Sequence, residues 1–372
     1  MATQQTLFSL ALLALLALPL VAAKNARFLH WYPTYGPDFQ DILTNNCSVS
    51  YNKYLKGTGH LNKACPYVVD CILTNTRESY KANMASASVV LGLTPAILTL
   101  LGCGTAELSL LSTRRPFLSI CLAIGSPSVA PVHTFEYSNP FVILQTKEGR
   151  RLHSRKSALR KALAVTVQYL LAFAAIANVA TVSYDLGVKS LFNFTCNQAY
   201  LAFLWAFLAP AIQVSGSIAF RLRFKVVDID AGDGRRKRGR FVQRLINEFS
   251  PCSTQGRSSI LWKRETTFFL IWSWTVSAVA ACHILFGTLA FSSLLFIAVK
   301  DALTVATRFI ASAIVCRAIL VFELSGMRET TLIEEERNEN LRPLLASRHT
   351  PGSSISKTSN ESSHAFIPTI RT

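Results

Sequence analysis

Residues 146–182 read TKEGRRLHSRKSALRK followed by ALAVTVQYLLAFAAIANVATV. Seven basic residues and one acid precede 21 residues without a charge. An uncharged apolar run of about 18 residues or more satisfies its backbone in lipid only as a helix. A basic flank marks the cytoplasmic side of such a helix. The stretch therefore predicts a membrane span over 162–182 whose first residue faces the cytosol.

Working outward, the same pattern recurs at 84–101 (MASASVVLGLTPAILTLL), 199–220, 267–286 and 302–322. Pro95 and Pro210 imply kinks within two of these runs. Two weaker stretches differ. Residues 117–132 are interrupted by Gly125, Pro127 and Pro131, and 287–299 (GTLAFSSLLFIAV) is short. Neither is expected to cross, and 117–132 is expected to be re-entrant or interfacial. The loops 133–161 and 221–264 are basic, and the second holds RRKRGRFVQR at 235–244. Half of the 372 residues are hydrophobic and the formal charge is +17. In a soluble chain that charge would point to nucleic acid. Beside several apolar runs it reads as charge facing the cytosol and anionic lipid, and no nucleic-acid partner is expected.

Residues 7–23 (LFSLALLALLALPLVAA) form an apolar core ending in small residues at Val21 and Ala23, a signal peptide over 1–23. No Lys or Arg precedes it at 2–6, so an uncleaved anchor is the alternative. Either exports 24–83, an aromatic-rich domain too small to bury much core unaided. Cys47, Cys65, Cys71 and Cys196 fall on the exported side. Four thiols there suggest two disulfides in any of three pairings. Cys103, Cys121, Cys252, Cys282 and Cys316 are expected reduced, and no Cys/His grouping has metal spacing. Asn46 and Asn193 open glycosylation sequons.

Parity ties these signals together. An exported 24–83 and a cytosolic 146–161 require one span or three between them. Five spans, with neither weak stretch crossing, place both basic loops inside and both sequons and all four cysteines outside. A sixth arises if 287–299 crosses, which moves the tail outside and makes Asn360-Glu361-Ser362 a usable sequon, or if 117–132 crosses, which moves both basic loops outside against the positive-inside bias.

Chemical motifs are sparse. Arg235, Arg236, Lys237, Arg238, Arg240 and Arg244 form a polybasic run near a membrane, a topology determinant or a candidate anionic-lipid site. The stretch from Asp228 to Gly234 starts like a calcium loop, but Gly232 and Gly239 stand where ligands are needed. Arg308 lies about two turns inside the last span, with Asp301, Asp185 and His283 as candidate partners. Glu107, Arg114 and Arg115 read as mutually neutralising interfacial anchors. Gln168 and Gln213 are the polar residues that would have to line any transport path. LRPLL at 341–345 and Thr350-Pro351 are weak sorting and phosphorylation signals. No HExxH, GxSxG, GxxxxGK[ST] or helix-opening GxGxxG is present, and no enzyme or cofactor is expected.

The segments KANMASASVVLGLTPAILTLLG, AELSLLSTRRPFLS, FGTLAFSSLLFIAVKDAL and CRAILVFELSGMRE resemble a group of uncharacterised multi-pass membrane proteins of filamentous fungi, over about 81–330. The resemblance implies a membrane protein and carries no catalytic residue with it. The expected architecture is an all-α transmembrane bundle at 84–322 with a small disulfide-tied N-terminal ectodomain. A cytoplasmic tail at 323–372 follows, disordered after about 347. The expected role is a non-enzymatic scaffold or sensor, with an oligomeric transporter or channel subunit as the alternative. The bilayer, anionic lipid and a second copy of the chain are the expected partners. The expected location is the plasma membrane or an endomembrane of the secretory pathway.

Overall fold

The computed structural model describes residues 27–56, 61–130, 158–194, 196, 198–228, 246–256, 258–263 and 266–332. The signal peptide 1–23, the polybasic run 235–244 and the tail beyond 332 lie outside the described residues.

Five helices are long and apolar enough to cross a membrane, so the chain is an all-α transmembrane bundle. In chain order the helices are α1 (Gly36–Asp41), α2 (Ser48–Leu55), α3 (Leu61–Asn75), α4 (Glu78–Leu101), α5 (Thr105–Ser112), α6 (Pro116–Gly125), α7 (Ala158–Lys189), α8 (Leu201–Arg223), α9 (Thr267–Ser292) and α10 (Val299–Thr330). The five candidate spans, on α4, α7, α8, α9 and α10, begin and end within eight residues of the apolar runs read from sequence. α4, α7, α9 and α10 overrun those runs, by up to seven residues at the end of α7. Large apolar side chains such as Val89, Leu100, Leu163, Leu170, Ile271, Leu285 and Leu289 point outward. In water that surface would be a liability. In lipid it has no cost.

The spans alternate in direction. Contacts near Val299, Ser190 and Leu201 join one end of the bundle to the disulfides, and contacts near Arg223 and Glu323 mark the far end. The interior is small residues around an aromatic knot. Trp205 meets Phe291 and Phe309 edge-on and stacks on His283. Ala87, Ala202, Ala206, Ala302 and Ala313 let the helices approach closely around it.

Short strands close both ends, an addition to the all-helical expectation. At the disulfide end, Leu191–Phe192 (β1) pairs antiparallel with Leu294–Leu295 (β4). At the far end, Phe224–Asp228 (β2) pairs antiparallel with Ser258–Trp262 (β3), which pairs parallel with Thr331–Leu332 (β5). FKVVD and SSILW carry Val226, Val227 and Ile260, β-branched residues that favour strands, although neither segment alternates cleanly. The stretch 287–299 does not cross: α9 ends at Ser292, and β4 and a turn lead into α10.

Candidate functional site: an interrupted helix at mid-membrane

The first crossing is not one helix. Asn83 accepts a hydrogen bond from Val299 N at 2.9 Å, so the start of α4 stands level with the disulfide-end turns. Gly92 packs on Ser292, the last residue of α9. Leu101 therefore lies about 13 Å beyond Gly92 and about 27 Å beyond Asn83 along α4, at 1.5 Å per residue, still inside the bundle. Gly102 and Gly104 are extended, and α5 then continues to the far end, where Arg221 donates to Ser112 O at 3.1 Å. Gly102 is required here, because a Cβ would overlap Ser128 Oγ.

From that end α6 turns back. Its last residue, Gly125, packs on Cys316 and Ala175. Ala175 is about 21 Å up α7 from Lys189 by the same rise. Residues 126–130 are then non-helical at this depth. Of the stretch 117–132, residues 117–125 lie in α6 and 126–130 are non-helical, and 131–132 lie outside the described residues. Two irregular segments thus meet inside the bundle, beside Cys316 and Ala175. Ser126 Oγ and Ser128 Oγ share a hydrogen bond of 2.8 Å, Thr105 Oγ1 donates to Ala130 O at 3.1 Å, and Gln213 Nε2 donates to Ser128 O at 3.0 Å. Gln213 Oε1 has no partner although the residue is 2% exposed. Beside it, Glu107 pairs with Arg317 and accepts from Gly104 N at 3.4 Å, at the start of α5. Non-helical backbone at membrane depth persists only where protein or a polar cavity satisfies it.

A second polar group lies at the far end. Arg115 is fully buried. It pairs with Glu323 at 3.0 Å, donates to Gln168 Oε1 at 2.7 Å and to Glu248 O at 2.8 Å, and covers the Tyr169 ring. Glu248 caps α6, its Oε1 accepting from Leu118 N and Tyr169 OH, each at 2.9 Å. Glu323 Oε2 accepts from Cys252 N at 3.0 Å. Burial, reinforced by the Glu323 carboxylate, pushes the Cys252 thiol well up from its usual range. The reading of Glu107, Arg114 and Arg115 as interfacial anchors is thereby corrected: Glu107 pairs with Arg317, and Arg114, itself buried, donates to Gly256 O and Ser258 Oγ. Sequence alone missed these because each ion's partner is more than 50 positions away.

The remaining predicted residues are placed as follows. The bridges are Cys47–Cys71 and Cys65–Cys196, with Cα atoms 5.9 and 6.1 Å apart, which selects one of the three pairings. The other five cysteines form no disulfide. Asn46 is exposed beside the first bridge, with Nδ2 donating to Asn75 Oδ1 at 3.0 Å. Asn193 is exposed in the β1 turn, and Thr195 of its sequon lies outside the described residues. Arg308 is held by Asn178 Oδ1 at 2.9 Å, Thr181 Oγ1 at 2.8 Å and Asp185 at 3.7 Å. Of its other expected partners, Asp301 instead accepts from Thr34 N at 3.4 Å, and His283 Nε2 bonds to Trp205 O at 2.9 Å. The structure does not bring Arg308 and His283 together. Among the described residues no group of three or more His, Cys, Asp or Glu could hold a metal ion.

The chain is a multi-pass membrane protein, and no protein family, curated protein or solved structure matches it.

Proposed function

We propose that this protein is a non-enzymatic sensor that transmits a change at its disulfide-tied domain to the far end of the bundle. One observation carries this reading. The unbroken α10, about 48 Å long at 1.5 Å per residue, touches that domain at its start and the buried ion cluster near its end. Its first turn holds Asn83 and Thr34 through Val299 N and Asp301, and its last turns hold Cys252 through Glu323. The segment 246–256 seated there directly follows the polybasic run 235–244. Hydrogen exchange tests the coupling. Asn83→Ala with Asp301→Asn should raise exchange at 246–256 about tenfold and leave mid-α8 unchanged. Unchanged exchange at 246–256 would overturn the sensor reading.

The disulfide end is read as lumenal or extracellular, and the basic loops and C-terminus as cytosolic, in the plasma membrane or an endomembrane. Oxidised cysteines support this side assignment, and so do the positive loops. Glycosylation mapping tests it: Asn46 and Asn193 should accept glycans, and Asn360 should not. The polybasic run is assigned to anionic lipid. A transporter or channel subunit is the second reading. The interruption between α4 and α5 favours it, because discontinuous helices recur at transport sites, and Gln213 lies at that break. Ion flux into vesicles carrying the purified protein would select it over the sensor.

A further inference from the structure

We propose that the interruption between α4 and α5 binds one alkali-metal cation, probed below with sodium, through Gln213 Oε1, the hydroxyls of Ser126 and Ser128, and carbonyls at the ends of α4 and α6. The inference stands apart from the sensor reading and holds whichever function the protein has.

Charge makes the first argument. The C-terminal ends of α4 and α6 both arrive at this layer, at Leu101 and Gly125. Each contributes an effective charge of roughly −0.5 from its aligned peptides. Glu107 beside the start of α5 is neutralised by Arg317, so the α5 start adds roughly +0.5. The layer is left with an excess of about half a negative charge in a setting without bulk water. That sign favours a cation over an anion.

The donor atoms make the second argument. Gln213 is 2% exposed and its amide nitrogen is engaged by Ser128 O, which leaves Oε1 without a partner in the same layer. Ser126 and Ser128 are also buried; Ser126 Oγ is shared with the Cys103 thiol as well as with Ser128, and Ser128 Oγ keeps a lone pair beyond their shared bond. Every available donor is a neutral oxygen. Hard cations take oxygen ligands, and Ca²⁺ and Mg²⁺ sites draw on carboxylates. The one carboxylate of this layer, Glu107, is committed to Arg317 and the α5 start. That combination selects a monovalent ion over a divalent one. Gly102 completes the arrangement, because only a residue without a Cβ lets the two irregular segments close around the site.

The test uses the full-length protein in detergent, with thermal unfolding followed from about 1 to about 300 mM NaCl at ionic strength held constant with choline chloride. A cation bound only to the folded state raises the midpoint with the logarithm of its concentration once above its dissociation constant. Sodium should do so and choline should not. Gln213→Glu adds a carboxylate and should lower the half-saturating concentration about tenfold, and Gln213→Leu should raise it at least as much. Should the leucine variant fail to fold, Ser126→Ala supplies the weakened site. No sodium-specific stabilisation of the wild type would mean that water alone occupies the layer, and would overturn the proposal. Sodium stabilisation with the same half-saturation in all variants would place the ion elsewhere and overturn it equally. Neither result bears on exchange at 246–256, so this proposal and the sensor reading fail separately.

Discussion

The disulfide end and the far end of the bundle are organised by different chemistry. At the first, two covalent bridges and an aromatic cluster do the holding. Phe28, Trp31, Phe39 and Phe296 meet with ring centroids 5.2 to 6.0 Å apart, and Leu191 and Phe296 are supplied by turns between membrane helices. Phe28 and Phe296 both adopt positive φ, of 65° and 64°, a conformation costing about 1–3 kcal/mol each that the packing must override. At the far end no covalent bond joins the described residues. Arg115, Glu248 and Glu323 are buried together, and their hydrogen bonds fix which segments sit side by side. A nonpolar cluster tolerates imperfect geometry. A buried ion does not, because each unmade contact leaves a desolvated charge. The disulfide end should therefore be robust and the far end specific.

The largest expected effect sharpens the covalent half of that contrast. Cys65–Cys196 joins α3 to the β1 turn across 131 positions, whereas Cys47–Cys71 spans 24. The chain-entropy relation gives about 5 and about 3.5 kcal/mol respectively. Replacing both cysteines of the long bridge by serine should lower the thermal midpoint in detergent more than replacing both of the short one. Equal losses would show that the aromatic cluster, not the bridges, sets stability at this end.

Next in size is the far end. Arg115→Met leaves the Glu323 carboxylate buried without its cation and the Glu248 carbonyl without its donor, and should cost about 3–5 kcal/mol. The double variant Arg115→Met with Glu323→Met removes both members of the 3.0 Å pair and should recover most of that loss. Urea or thermal unfolding of the two variants measures the difference. A double variant no better than the single one would mean that the pair supplies net stability rather than specificity.

The two ends also differ in how legible they are in the sequence. The bridged cysteines and the five spans could be read because their signals are local: an apolar run, a sequon, thiols confined to one side by parity. The pairing of the four cysteines could not, since it depends on α3 meeting the β1 turn. The interruption at Gly102–Gly104 went unread because GCG after TLL looks like an ordinary helix end, and nothing local says that the chain is then still inside the bundle. Pro127 and Pro131 did reveal that 117–132 is broken. Arg115 read as an anchor because TRRP beside an apolar stretch usually is one. Its true setting comes from Gln168, Glu248 and Glu323, at three distant places in the chain.

The smallest expected effect compares the cysteines of the two ends. Cys47, Cys65, Cys71 and Cys196 are oxidised, while Cys252 at the far end forms no disulfide. Burial, together with the neighbouring Glu323 carboxylate, disfavours its thiolate. Only the thiolate attacks an alkylating reagent, and its fraction falls about tenfold for each unit by which the pKa exceeds the pH. In the folded protein at pH 8, iodoacetamide should label Cys252 far more slowly than in protein unfolded by detergent and heat. Glu323→Gln removes the charge but not the burial, which is the larger cause, so it should restore only a small part of the reactivity. Arg115→Met, which disturbs the seat of 246–256, should restore more. Rapid labelling of Cys252 in the folded wild type would break the contrast, because it would mean that this end opens to solvent and that its ions are not held in a closed cluster.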